Sequence, residues 1–247
     1  MHNPLIAKLG HGVDLTDADR GLLNDLIRHT RTVGARQAII HEGERPDFVY
    51  LVLDGFACRY KTLIGGARQN MAYLVPGDFC DLHVAILGTM DHTIATLSPC
   101  TIVDIPRHTI LDLTDQHPRI ARALWWCILV DEGTLREWLL NLGQRESPQR
   151  LAHLFCELLV RLQAVGLADA NSYALPVTQE ELGDTLGVTS VHVNRTIQAL
   201  RDDGLITLRS KRLTIPDVAR LYAYCEFNPN YLHLTKRENG TVNGHRL

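Results

Sequence analysis

Apolar and polar positions alternate differently in three stretches of the chain. Over residues 14–29, Leu15, Leu22, Leu23, Leu26 and Ile27 recur near a 3.6-residue period, which predicts short helices. From Arg36 the period shortens. The runs RQAIIHEG, DFVYLVLDG, FACRYKTLI, RQNMAYLVPGD, TIATLSP and TIVDIPR are short and β-rich, each closed by Gly, Pro, Asp or a basic residue. Gly65-Gly66 marks a hairpin turn between two of them. Strands this short and evenly spaced predict a β-roll over about residues 36–107.

A long helical texture begins near Gln116, with Pro118 suited to its first turn. Ile120, Leu124, Cys127, Asp131, Thr134/Leu135, Trp138 and Asn141/Leu142 alternate in steps of four and three, the spacing of a coiled-coil seam. Trp125, Trp126, Ile128 and Leu129 widen that apolar face. A helix apolar on two sides predicts one face on its own domain and one on a second copy of the chain. At 1.5 Å per residue it would run roughly 35–40 Å. After a hinge at Gly143–Ser147, Ser147-Pro148 reads as a helix cap followed by Pro at the first helical position. Leu151, Leu154, Phe155, Leu158, Leu159 and Leu162 continue that helix to Gly166. Residues from Ala168 to Tyr173 read as a polar loop.

The most informative segment is TQEELGDTLGVTSVHVNRTIQAL at 178–200. Thr178 and Glu181 form a T-x-x-E capping box. Gly183 is small where a second helix must cross, Gly187 sits at a turn needing positive φ, and Thr189 caps the next helix. Val193, Ile197 and Leu200 form its inner stripe, with Thr196 at a place often aliphatic. This is helix-turn-helix spacing. Ser190, Val191, His192, Asn194, Arg195 and Gln198 are left facing out, where Arg can read guanine and Asn adenine in a major groove. RDDGLITLRSKRLTI then predicts a winged hairpin: strand Leu205–Leu208, basic turn Arg209–Arg212, strand Leu213–Ile215. Arg209, Lys211 and Arg212 suit phosphates.

Composition narrows the reading. The 247 residues are 45% hydrophobic and 21% charged, enough for a buried core. Net charge is -3, yet 190–213 holds Arg195, Arg201, Arg209, Lys211 and Arg212 against Asp202 and Asp203 only, a local basic patch. The six cysteines are at least 20 residues apart, which excludes C-x-x-C zinc and redox motifs and reads as buried free thiols. No apolar run reaches a membrane span and Met1-His2-Asn3-Pro4 is not built like a signal peptide, so a cytoplasmic protein with no membrane partner is expected. Enzyme signatures (H-x-H of cupins, G-x-S-x-G, G-K-[ST], H-E-x-x-H) are missing, and no catalysis is expected.

A β-roll, a long helix, a hinge and a winged helix-turn-helix together resemble the Crp/Fnr transcription regulators, over about residues 15–225. The most specific parts are PGDF at Pro76–Phe79 and LGVTSVHVNRTIQALRDDGLI at 186–206. The resemblance implies an α+β chain. An effector-sensing roll would span 1–115, a dimerisation helix 116–144, a winged helix-turn-helix 145–228 and a C-terminal tail 229–247, with Phe227–Leu234 as a docking segment and KRENGTVNGHRL as a loose end. It implies a homodimer on palindromic DNA, RNA polymerase as a further partner, Arg195 as guanine reader, and Thr178, Gln179 and Thr189 as phosphate contacts. Where the family commonly has Glu, this chain has Val191, so the family's usual half-site is not expected.

The resemblance also places an effector pocket at Gly77, Asp78, Phe79, Asp81, Leu82, His83, His92 and Thr93. Members that bind cyclic AMP have Gly-Glu where this chain has Asp81-Leu82, Arg-Ser where it has His92-Thr93, and Thr-Ser where it has Leu135-Arg136. Cyclic AMP is therefore not the expected effector. An iron–sulfur sensor would need an N-terminal cysteine cluster, and no cysteine precedes Cys58. No cofactor is required by the sequence; haem, for which His41, His83, His92 and His108 offer ligands, and other small effectors stay open. His83 beside Asp81 is a candidate sensor of pH or of a small anion. The rival reading is a ligand-binding or dimerisation module whose helix-turn-helix does not touch DNA.

Overall fold

The computed structural model describes residues 2–234. Helices α1 (Pro4–Gly12) and α2 (Asp17–Leu26) precede seven strands: β1 (Thr30–Val33), β2 (Ala38–Ile40), β3 (Phe48–Asp54), β4 (Ala57–Thr62), β5 (Arg68–Leu74), β6 (Thr93–Thr96) and β7 (Cys100–Pro106). They form two antiparallel sheets, ordered β1-β7-β3 and β2-β6-β4-β5. The apolar alternation read in the sequence puts Val49, Leu51, Ile94, Val103 and Ile105 between them, all fully or nearly fully buried. Short helix α3 (Val84–Leu87) lies in the β5–β6 connection, and α4 (Arg107–Gln116) continues directly from β7.

Each expected β-rich run carries a strand, and the turn at Gly65-Gly66 joins β4 to β5. Helix α1, strand β1 and helix α4 were not expected. β1 is four residues with three of them exposed, so it has almost no apolar alternation of its own and is held by pairing with β7.

Helix α5 (Pro118–Gln144) and helix α6 (Ser147–Ala164) turn back on each other through the extended residues Arg145 and Glu146. The cap of α6 is one residue earlier than expected. Glu146, not Ser147, forms a reciprocal capping box with Gln149.

Strand β8 (Ser172–Ala174), helices α7 (Gln179–Leu186) and α8 (Ser190–Asp202), strands β9 (Thr207–Arg209) and β10 (Arg212–Thr214) and helix α9 (Val218–Cys225) complete the second unit. Its sheet runs β8-β10-β9, so part of the stretch read as a loop is a third wing strand. The hairpin is tighter than expected. Ser210 and Lys211 take φ of 47° and 59°, while Leu205 and Ile206 are buried ahead of β9. All six cysteines are free and buried, as expected.

Most of the α5 face expected as the dimer seam instead packs inside the chain, while Leu135 and Leu142 of that expected seam are exposed. Ile120, Leu124, Cys127, Thr134, Trp138 and Asn141 are all less than a tenth exposed. A second row, Trp125, Ile128, Glu132, Leu135, Leu139 and Leu142, repeats the steps of three and four and points outward. Leu139 is 73% exposed and Trp125 65%. Periodicity cannot tell two such stripes apart; packing does.

Past α9, Phe227, Tyr231 and Leu232 are buried around a 3-10 turn (Pro229–Leu232) that docks on α5 and α6. That agrees with the docking segment read from the sequence. The loose end KRENGTVNGHRL lies outside the described residues.

Candidate nucleic-acid interface and sensor loop

Two local rules build the helix-turn-helix. Thr178 Oγ1 accepts the Glu181 N–H while the Glu181 carboxylate accepts the Thr178 N–H, satisfying two orphan donors at the start of α7. Gly187 ends α7 at φ +70°, and a Cβ on Gly183 would stand 2.6 Å from the Val188 carbonyl oxygen. Thr189 then caps α8 by accepting the His192 N–H.

Val193, Thr196, Ile197 and Leu200 are buried, which leaves Ser190, Val191, His192, Asn194, Arg195 and Gln198 all exposed, as the spacing predicted. Asn194 donates to Gln179 Oε1 at 3.2 Å, tying the outer face of α8 to the start of α7. Gln198 donates to Asp202. Arg195 is exposed at the middle of the outward row. Gln179 and Thr189 are exposed at the first turns of their helices and Thr178 is half-buried.

In the wing, Arg209 and Lys211 are exposed. Arg212 differs from the expectation: its guanidinium donates to the Asp169 carboxylate and, at 2.8 Å, to Ser172 Oγ, so it braces β10 against β8. Asp169 lies in the stretch read as a loop, so the sequence offered no signal for this pairing.

The helix-turn-helix is seated on the roll. Asn70, fully buried on β5, donates to the Glu181 carbonyl oxygen at 2.9 Å. Tyr73 shares a 2.6 Å hydrogen bond with Thr185, and Gln69 donates to the Thr185 carbonyl. Below it, Arg161 of α6 donates to Asp78 at 2.6 Å and to the Tyr73 carbonyl at 2.8 Å. Arg161 also pairs with Glu157, which accepts from Trp138 Nε1 and Tyr231 Oη, each at 2.9 Å. Burial by itself would raise the Asp78 carboxyl, but Lys8 and Arg161 beside it hold it down at about 2.

The residues expected as one effector pocket fall into two groups, which is a correction to that expectation. Gly77 (φ +92°) and Asp78 face α1 and α6: a Cβ on Gly77 would stand 2.8 Å from the Pro4 carbonyl oxygen, and Asp78 bonds Lys8, Arg161 and the Val75 N–H. Phe79 and Leu82 are core side chains. Thr93 Oγ1 accepts the Glu42 N–H. Chain connectivity puts these residues side by side, but the turn at 76–80 sends their side chains different ways.

Asp81 is fully buried, accepts the Tyr50 N–H at 3.1 Å through one oxygen and leaves the other without a partner. Burial pushes its carboxyl up to about 7, against the Tyr50 N–H bond and the Arg59 charge. Arg59 spends its own donors on the Phe79 and Cys80 carbonyls and on Asp131 of α5.

The carboxylate against His83 is not Asp81 but Asp91. Asp91 bonds His92 Nδ1 at 2.6 Å and lies 3.8 Å from His83 Nε2, with the two imidazoles 5.6 Å apart. Burial, more than any neighbour, holds both imidazoles below their ordinary value and so neutral near pH 7. Sequence reasoning singled out both histidines but missed Asp91, which carries no periodicity or motif to mark it.

Comparison with known proteins agrees with this architecture. A model of the cyclic nucleotide-binding domain matches residues 30–117, and one of the Crp-like helix-turn-helix domain matches 149–224. The chain is 31% identical over 201 residues to the transcriptional activator protein FnrL of Cereibacter sphaeroides, covering 79% of each protein. It is 26% identical over 184 residues to the nitrogen fixation regulation protein FixK of Azorhizobium caulinodans, covering 74% of this chain and 73% of that one. Among solved structures, FixK2 from Bradyrhizobium japonicum superposes with a TM-score of 0.72 at 24% identity, covering 79% of this chain and 96% of that one. The chain belongs to the Crp/Fnr family of transcription regulators and carries that family's helix-turn-helix DNA-binding domain. No helix among the described residues is long and apolar enough to cross a membrane.

Proposed function

We propose that this regulator works as a homodimer on a two-fold-related operator, with α8 of each copy in a major groove and its affinity set by a small effector other than cyclic AMP. The observation that carries the reading is the outward row on α8. Six side chains able to meet base edges are free of the core on a helix whose opposite face is fully buried.

Arg195 is the guanine reader in this account, with Ser190, Val191, His192, Asn194 and Gln198 beside it. Thr178, Gln179, Thr189, Arg209 and Lys211 meet phosphates, and Arg212 serves mainly to hold the wing. The partner copy packs on the outward α5 row from Trp125 to Leu142. That the relatives are named as activators supports RNA polymerase as a further partner.

Three features speak against cyclic AMP. Asp81 is fully buried and bonded to the Tyr50 N–H where cyclic AMP-binding members have the Gly of Gly-Glu, His92 is a neutral ring bonded to Asp91, and the nearby Arg59 guanidinium is already committed to Asp131 and two carbonyls. The reading is tested by gel shift of purified full-length protein on a selected palindromic site. Wild type shifts it and Arg195→Ala shifts it more weakly. An inert module would bind neither more tightly than random DNA.

A further inference from the structure

We propose that His83, Asp91 and His92 form a binding site for one divalent first-row transition ion, of the zinc or ferrous kind. Each residue offers a ligand atom, and these atoms all lie within 4.8 Å of one another. Two imidazoles and one carboxylate are a donor set of borderline softness, suited to Zn²⁺ or Fe²⁺ rather than to Mg²⁺ or Ca²⁺, which take all-oxygen shells.

The cluster is poorly satisfied by itself. His83 Nε2 is buried and has no partner, and His92, more than nine-tenths buried, turns its Nδ1 to Asp91. His83 Nε2 stands 3.8 Å from Asp91 Oδ1, too far for a hydrogen bond. A buried polar atom left unpaired costs about 1–3 kcal/mol, so a group seated between His83 and Asp91 gains from what the bare chain leaves open.

All three ligand atoms must adjust to one shell, the two imidazole nitrogens from a separation within 4.8 Å. With metal–ligand bonds of about 2.0–2.1 Å, tetrahedral ligands lie about 3.3 Å apart. The Asp91–His92 contact at 2.6 Å opens slightly and the His83–Asp91 gap at 3.8 Å closes slightly. The side chain of Asp91 is 80% exposed, which gives an ion its entry and leaves a water the fourth position. The nearby guanidinium of Arg59 is paired with Asp131 at 2.9 Å, and its remaining charge favours the neutral, ligating form of both imidazoles.

The three ligands come from the two ends of the loop that carries α3, so a bound ion would fasten His83, at the start of α3, to the segment entering β6.

The test is titration of tag-free, metal-stripped full-length protein with Zn²⁺ by calorimetry, and with Co²⁺ read by its visible d–d absorption. Wild type is expected to take up one tight equivalent per chain, with Co²⁺ bands of a low-symmetry, four-coordinate site. Losing an outer-shell partner alone typically weakens a metal site 10–100-fold, so Asp91→Asn and His83→Gln are each expected to weaken this equivalent by roughly tenfold or more, and the double variant to remove it. Both positions are partly or mostly exposed, and circular dichroism checks that the variants stay folded. Absence of a tight equivalent in wild type overturns the proposal. So does an equivalent that survives unchanged in the folded double variant, because the ion is then held elsewhere.

Discussion

Arg161 on α6 and Asp78 in the turn after β5 meet at 2.6 Å, joining the helix that opens the DNA-binding unit to the β-roll. Lys8 of α1 closes on the other Asp78 oxygen at 2.6 Å. One buried carboxylate is thus shared by three segments, and α6 in turn supports the helix-turn-helix. A change in the 76–80 turn therefore has a direct mechanical route to α8.

Asp78→Asn leaves buried Lys8 without its anion and Arg161 with Glu157 alone. Breaking a buried pair in this way costs roughly 3–5 kcal/mol, and at about 2–4 °C per kcal/mol for a chain of this size the melting temperature should fall by roughly 6 °C or more. The sign with pH follows from the depressed carboxyl. Its stabilisation is present above the unfolded value near 4 and is lost as pH falls towards about 2. Differential scanning calorimetry of both proteins at neutral pH checks the first part. An unchanged melting temperature would remove the ion pair from the account.

Arg195→Ala should cost roughly 1–3 kcal/mol of operator binding and relax preference at one base pair per half-site. Lys211→Ala should instead weaken all sequences about equally and lower the salt slope by about one. Binding isotherms on the operator, on single-base variants and across a salt series separate the two. A uniform loss from Arg195→Ala would move that residue to the phosphates.

Leu139→Glu places a charge in the outward row of α5 without touching the inward one. It is expected to halve the mass seen by light scattering while the melting profile of the monomer stays cooperative. Trp138→Ala, one residue along, should do the reverse, because Trp138 is buried against Tyr73 and donates to Glu157. It should cost roughly 3–5 kcal/mol of fold stability. A dimer unchanged by Leu139→Glu would mean that copies meet on another face.

Asp81→Asn tests the buried acid. Between about pH 4 and 7 the folded wild type keeps a proton that the unfolded chain has released, so its stability falls as pH rises through that window. The asparagine keeps the acceptor for the Tyr50 N–H and carries no charge. The two proteins should have similar urea midpoints near pH 4 and diverge in favour of the variant towards pH 8, on the order of 1 kcal/mol per pH unit crossed. Parallel pH profiles would contradict the assigned shift.

The helix-turn-helix was legible almost residue by residue, because its rules are local: Thr178 three before Glu181, a glycine at the turn, Thr189 before an apolar stripe. The roll was legible as strands, but β1 and β8 were not, since each is stabilised by a distant partner rather than by its own pattern. Helix α5 was placed correctly and for the most part faced wrongly, because its two stripes share one spacing. In the loop that carries α3, His83 and His92 stood out as residue types, yet Asp91 is one acid among 28 Asp and Glu and becomes notable only when the fold brings it to His83. The pairing of Arg212 with Asp169 is likewise a tertiary fact.

The most direct measurement is selection of operators from random DNA by purified wild-type protein, with and without cyclic AMP. The account predicts enrichment of one palindromic site, its half-sites about one helical turn or roughly 34 Å apart, to the same extent in both arms. Enrichment only with cyclic AMP would contradict the reading of Asp81 and His92, and enrichment of asymmetric or non-palindromic sites would contradict the two-fold dimer built on α5.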